Sequence, residues 1–345
     1  MSIETFQIWL AVVAFVWGAV WGSFLNVVIY RLPAGISLIS PPSRCPKCET
    51  PLAWYDNVPI LGWLWLRGKC RYCGVSIPAR YPGVELFTGI MSLLVWLHVS
   101  GDRLLEPQTP EMLQNTLVAV GAAFFFYFYF VAILIAITFI DLDETIIPHE
   151  LTATGTALGL AAAFLMPRTG PMIDLWPQVQ WMDSVIGLLV GGAFIAFIIK
   201  GYAFVRGIEG MGWGDFTLMG MCGTWVGWRG VIFVLFAASV QGLLAVLVYA
   251  VVQKLRGKSV AESAFLTPDD LDAIDNPEAA QQDQSPQSDA EDSGAEKKDG
   301  ANGEGEDEEE VGFGQLAIPF GPWIALAAVE FVLIGERVLP WLLGI

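Results

Sequence analysis

The stretch from Asn115 to Ile140 runs for 26 residues without a charged side chain. A helix needs about 20 apolar residues to cross the hydrocarbon core of a bilayer, so such a run leaves few fates other than a membrane span. Eight apolar segments, roughly 8–30, 84–99, 115–140, 151–166, 185–200, 215–228, 231–252 and 317–340, predict eight spans. The fourth and sixth are short but are flanked by Pro or Gly. In lipid every backbone polar group needs an internal partner, which a helix supplies. With 54% hydrophobic residues, the chain reads as an all-α polytopic membrane protein, a bundle of about eight transmembrane helices with a small cytoplasmic zinc-knuckle module.

The formal charge of −17 is concentrated in one place. Residues 259–310 carry 18 of the 35 acidic side chains and two lysines, a net −16, which leaves −1 for the rest. This segment is poor in aromatic residues and cannot bury enough apolar surface to order itself. It reads as a disordered cytoplasmic insert and solvated spacer. The start, MSIETFQIWL, lacks a basic region before its apolar run, so the first segment is expected to remain as a span rather than be cleaved.

Basic residues orient the spans, because short cytoplasmic loops are rich in Lys and Arg. Arg31, Arg44, Lys47, Arg67, Lys69, Arg71 and Arg80 place the first long loop in the cytoplasm. Lys200 and Arg206, and later Lys254, Arg256 and Lys258, fall on the same side. The expected domains are 1–30, first helix; 31–83, zinc-binding module; 84–258, membrane core; 259–315, acidic insert; and 316–345, last helix.

Four of the five cysteines form two CxxC pairs, Cys45 with Cys48 and Cys70 with Cys73. Each pair sets two sulfurs on a tight turn, and two such turns make a tetrahedron suited to structural zinc. A cytoplasmic position argues against disulfides. Cys222, alone in an apolar stretch, reads as a small buried hydrophobe.

Two aspartates stand at span ends on the cytoplasmic side. Asp141 opens DLDETIIP after the third span, and Asp215 closes GMGWGD. Gly210, Gly212 and Gly214 permit unusual backbone angles before Asp215, and Pro148 lets a new helix begin near His149. Carboxyl groups at a membrane boundary are costly unless solvated, paired or functional. Two together can share one proton and activate water as in an aspartic protease: the charged member takes a proton from water and the neutral one polarises the scissile carbonyl. The titrations are coupled, so acid and base are not assigned. The spacing alone fits equally an ion path in a cation-coupled transporter. Asp143 and Glu144 read as interface residues, and Glu85 and Glu330 as acids paired within the bundle or lying near the interface; His98 and His149 receive no role.

Taken together, GSFLNVVIYRLP (22–33), SRCPKC and LAWYDNVPILGWLWLRGKCRYCG (43–74), RYPGVELFTG (80–89), DLDETIIP (141–148), EGMGWGDFTLMG (209–220), GTWVGW (223–228) and IPFGPW (318–323) resemble the prepilin leader peptidases. These are membrane aspartic proteases of the GxGD type that serve type IV pili and type II secretion. The resemblance implies cleavage of a short basic leader from type IV prepilins or pseudopilins, with Asp141 and Asp215 catalytic. It implies a bacterial inner-membrane location, an active site toward the cytoplasm, and partners that are protein substrates and lipid, not nucleic acid. It also implies S-adenosylmethionine-dependent N-methylation of the new N-terminus, associated with residues 22–89. No glycine-rich loop marks a site for that methyl donor. Three positions depart from the family pattern: His149 stands where many relatives carry Asp or Asn, Thr217 where many carry Lys, and Trp213 where a small residue is common.

Overall fold

The structure is a computed structural model that describes residues 3–101, 103–104, 109–165, 179–206, 212–255 and 319–343. The acidic insert and Gly210 lie outside them. The described elements are α1 (Ile3–Arg31), α2 (Leu61–Trp65), α3 (Arg80–Ser100), α4 (Pro110–Glu144), α5 (His149–Leu165), α6 (Trp181–Arg206), α7 (Trp213–Leu255) and α8 (Gly321–Leu343). The chain divides into one unit of Met1–Gly242 with Pro319–Ile345 and a second of Leu243–Ile318. Of the second, the described part is the helical stretch 243–255.

Each of the eight expected segments overlaps a helix, and α2 is an addition from the cysteine module. Among the described residues, five helical stretches are long and apolar enough to cross a membrane: Glu4–Arg31, Arg80–Ser100, Pro110–Glu144, Trp181–Val205 and Trp213–Val252. α5, at 17 residues, and the apolar part of α8, Gly321–Gly335, are shorter. The expected sixth and seventh spans are the two parts of α7, separated at Gly227, whose φ of 68° and ψ of 175° are not helical. A straight helix of 43 residues would be about 64 Å long, twice a bilayer core. The break at Gly227 divides it into pieces of 14 and 28 residues, 213–226 and 228–255, the first shorter than a full crossing.

Small residues set the tightest packing. α1 lies against α3, where a Cβ on Gly18 would come within 2.4 Å of the Ser92 Cβ and one on Gly22 within 2.6 Å of the Glu85 Cα. Ser92 Oγ donates to the Ala14 carbonyl at 2.7 Å. Such close approach is how helices gain contact energy where no water is displaced. α4 is the central element, touching α1, α3, α5 and α8. Its buried Phe130, Leu134, Ile137 and Ile140 join Leu218 and Met221 of α7 and Ile324 and Phe331 of α8 in one core. The outer face of α1 exposes Trp9, Val12, Val16 and Val20, as a lipid-facing helix does.

Candidate active site

Three helix ends meet at the first candidate site. α4 is packed as far as Ile140, which is fully buried, and continues through Asp141 to Glu144. The third span was expected to stop at residue 140; the helix instead ends where Thr145 turns left-handed, φ 52°, its N–H returning to the Asp141 carbonyl at 3.0 Å. Asp141 therefore sits in the last helical turn rather than beyond it. Pro148 follows, and α5 begins at His149 as expected.

Asp215 is the third residue of α7, and its N–H reaches the Gly212 carbonyl at 3.2 Å. Gly214 is needed for contact: a Cβ there would lie 2.8 Å from the Ile147 Cβ. Gly212 faces open space apart from its own chain. The third end belongs to α8. Its first residue, Gly321, brings a backbone N–H to the Asp141 carboxyl, and a Cβ on Gly321 would come within 2.4 Å of Asp141 Oδ2 and 3.2 Å of Ile147 Cδ1. Ile147 thus packs against both glycines.

The two carboxyl groups are close enough to act on each other electrostatically. Both residues are buried, 5% exposed for Asp141 and 8% for Asp215. Asp141 Oδ2 and Asp215 Oδ1 are enclosed yet have no hydrogen-bond partner. An orphaned buried acceptor costs about 1–3 kcal/mol, and such atoms in a native fold call for a functional explanation. Asp215 lies in the first turn of α7 and Asp141 faces the start of α8. The partial positive charge of a helix N-terminus offsets part of that cost.

Among the neighbours, Asp143 forms a bidentate ion pair with Arg80 at the start of α3 rather than simply marking the interface. Glu330 accepts from Gln241 Nε2 at 2.6 Å, and Glu85 accepts from the Ile60 N–H at 2.6 Å. The Thr217 hydroxyl donates to the Gly214 carbonyl, and the Lys200 ammonium lies 5.1 Å above the Trp213 ring. Gly321 was not singled out from the sequence, although the turn signal Pro-Phe-Gly-Pro marks its position.

The cysteine module is built from two matching turns. The Cys45 N–H bonds to the Thr50 carbonyl and that of Cys70 to the Val75 carbonyl; the Glu49 and Gly74 N–H groups return to Cys45 and Cys70. Glu49 and Gly74, each four residues after the leading cysteine, are both left-handed. Single bridges, Arg44 with Pro51 and Lys69 with Ser76, close the turns. The four sulfurs lie within 4.8 Å of one another, with Cys45–Cys73 at 3.7 Å and Cys48–Cys70 at 3.9 Å. Metal–sulfur bonds of about 2.3 Å give a tetrahedral edge of about 3.8 Å, whereas a disulfide needs about 2.05 Å. The thiols are free, and their spacing fits one metal ion. Hydrogen bonds from the Thr50 side chain and backbone pull the Cys48 thiol down to about 6. Backbone hydrogen bonds from Cys73 and Tyr72 lower Cys70. Cys222 is fully buried.

Residues 128–247 match the type IV leader peptidase family, and residues 16–99 match the bacterial peptidase A24 N-terminal domain. A prepilin leader peptidase/N-methyltransferase of Myxococcus xanthus is 33% identical over 96% of this chain and 91% of its own length. The chain belongs to the type IV leader peptidase family. Members with the same name from Aeromonas salmonicida, 34% identical over 65% of this chain and 75% of their own, and Pectobacterium carotovorum, 30% identical over 69% and 82%, also match. No solved structure was found to match. Within this multi-pass member, the N-terminal match contains the four clustered cysteines and the second match contains both aspartates.

Proposed function

We propose that this protein is a membrane aspartic endopeptidase that removes the basic leader of type IV prepilins or pseudopilins at the cytoplasmic face of a bacterial inner membrane, and then N-methylates the new terminus. The observation that carries the peptidase reading is the pair of enclosed, unpartnered carboxyl oxygens on Asp141 and Asp215. Like charges held close favour a single shared proton. The ionised carboxyl takes a proton from a water positioned between the two. The protonated one gives its proton to the scissile carbonyl oxygen as the tetrahedral centre forms. Proton return to the nitrogen then frees the leader and a new amine. The substrate suits the location: a basic head in water and an apolar stem in lipid would reach a site at the membrane boundary in two dimensions.

The cysteine cluster is assigned to structural zinc, because four thiolates leave no open coordination position. Its role is to fix the loop between α1 and α3. The methyl donor is assigned as S-adenosylmethionine, which when bound supplies an electrophilic methyl group. Domain limits follow the same reading, with 31–83 as the zinc module and 84–258 as the peptidase core.

The test is a synthetic prepilin with purified enzyme and mass spectrometry of the product. Asp141→Asn and Asp215→Asn are each expected to lower cleavage by at least a thousandfold while the protein remains in the membrane. Substantial leader removal by either variant would take that residue out of the mechanism. Cation-driven solute flux in vesicles without peptide cleavage would instead favour the transporter alternative.

A further inference from the structure

Arg80, the first residue of α3, closes on the last turn of α4. Its Nη1 donates to Asp143 Oδ1 at 2.8 Å, and its Nη2 donates to Asp143 Oδ2. The same guanidinium lies 5.3 Å from the centre of the Phe139 ring. Phe139 and Asp143 are four residues apart and share one face of the helix. Asp141, two residues from each, points to the opposite face, where it is buried against Gly321 of α8. One side chain from α3 therefore grips the outer face of the turn whose inner face carries the carboxyl group.

Burial does little to hold that turn. Leu142, Asp143 and Glu144 are exposed, and the last carbonyls of a helix have no partner within it. Helix ends open more easily than helix centres. The Thr145 N–H closes on the Asp141 carbonyl, but that bond stays within one segment. Arg80 ties the turn to a neighbouring span.

The two charges stand against the preference of their helices. A helix N-terminus favours acids and a C-terminus favours bases, by about 0.3–1 kcal/mol each. Here the base opens α3, which has no acid in its first turn, and the acid lies in the last turn of α4, which has no base. Helix stability alone would select the reverse. The side chains of Arg80 and Asp143 are 45% and 34% exposed, and pairs this wet contribute about 0–1 kcal/mol. What the two-pronged contact does supply is direction, because a planar fork fixes the carboxylate it meets.

We propose that Arg80 is a positioning residue of the peptidase site, clasping the end of α4 so that the Asp141 carboxyl keeps its place beside Asp215. The proposal rests on the reading of that pair as catalytic. It gives the N-terminal region a part in proteolysis, since Arg80 lies in the first matched region and Asp143 in the second. A displacement of about 1 Å can cost about a hundredfold in rate.

The experiment is steady-state cleavage of a synthetic prepilin by the full chain in detergent, with the unfolding midpoint of each variant. Arg80→Ala and Asp143→Asn are each expected to lower kcat about tenfold or more, with KM within about threefold and the midpoint little changed. Arg80→Lys keeps the charge without the fork and is expected to recover only part of the loss. Combining Arg80→Asp with Asp143→Arg rebuilds the pair in the sense that both helices favour, and is expected to return kcat to within about fivefold of wild type. A kcat within about twofold of wild type in Arg80→Ala, or a loss confined to KM, overturns the proposal. If Arg80→Ala does not fold, Asp143→Asn decides by the same two criteria. An exchanged pair that folds but cleaves no better than the single variants also overturns it. A wild-type chain that does not cleave sinks the peptidase reading, whereas one that cleaves beside an unaffected Arg80→Ala sinks the clasp alone.

Discussion

At the scale of single residues, Gly321 shows how little room the aspartate pair has. A methyl group there would meet the Asp141 carboxyl oxygen well inside contact distance. Gly321→Ala must therefore turn the carboxyl or shift the start of α8, and it is expected to reduce leader cleavage at least tenfold. Gly83→Ala, which meets no neighbouring atom, should leave cleavage unchanged in the same mass-spectrometric assay. Equal activity in the two variants would show that Asp141 tolerates displacement. Asp56 gives a second prediction. Arg71 hydrogen bonds hold the Asp56 carboxyl below its usual range, with the Asp56 side chain 2% exposed and that of Arg71 38% exposed. The folded state binds this proton less tightly than the unfolded chain, so the pair stabilises above about pH 4 and that contribution fades as pH falls further. With Arg71 partly in water, Asp56→Asn is expected to cost about 1 kcal/mol at pH 7. Thermal melts should show the gap to wild type closing below pH 4.

Among elements, the helix breaks test how much the sequence declares. Pro148 announces the start of α5, whereas α4 begins five residues before the expected 115, at Pro110, with the Thr109 hydroxyl accepting from the Met112 N–H. The end of α4 carries no such mark. Thr145 enters the left-handed region without being Gly or Asn, which explains why apolar patterning alone stops the helix at Ile140. A break in α7 was expected from its Gly flanks, which set the spans at 215–228 and 231–252; the structure places it at Gly227, inside the expected sixth span. Gly227 supplies it with a φ of 68°, a conformation that a Cβ penalises. Gly227→Ala is expected to destabilise the fold by about 1–3 kcal/mol, read as a lower midpoint of unfolding in detergent. A midpoint equal to wild type would mean that the break relocates at little cost.

For the whole molecule, hydropathy and the positive-inside pattern show the membrane bundle and put both aspartates on one side, because these depend on solvent preference summed along the chain. The approach of Gly321 to Asp141, the pairing of Arg80 with Asp143, and the bond from Ile60 to Glu85 depend on contacts between distant segments, and no local pattern encodes them. The division of labour has a consequence for metal removal. Chelation is expected to raise hydrogen exchange across residues 43–76 and to lower methyl transfer more than tenfold, while cleavage at Asp141 and Asp215 stays within severalfold. Equal loss of both activities would mean that the module also supports the peptidase.

The four sulfurs do not share one environment: Cys45 and Cys70 are buried, Cys48 is intermediate, and Cys73 is exposed. An oxidant or competing thiol arriving from water therefore encounters a single vulnerable corner. Disassembly of a bound ion would begin by detaching that arm, leaving the other three as a docking tripod from which reloading can start.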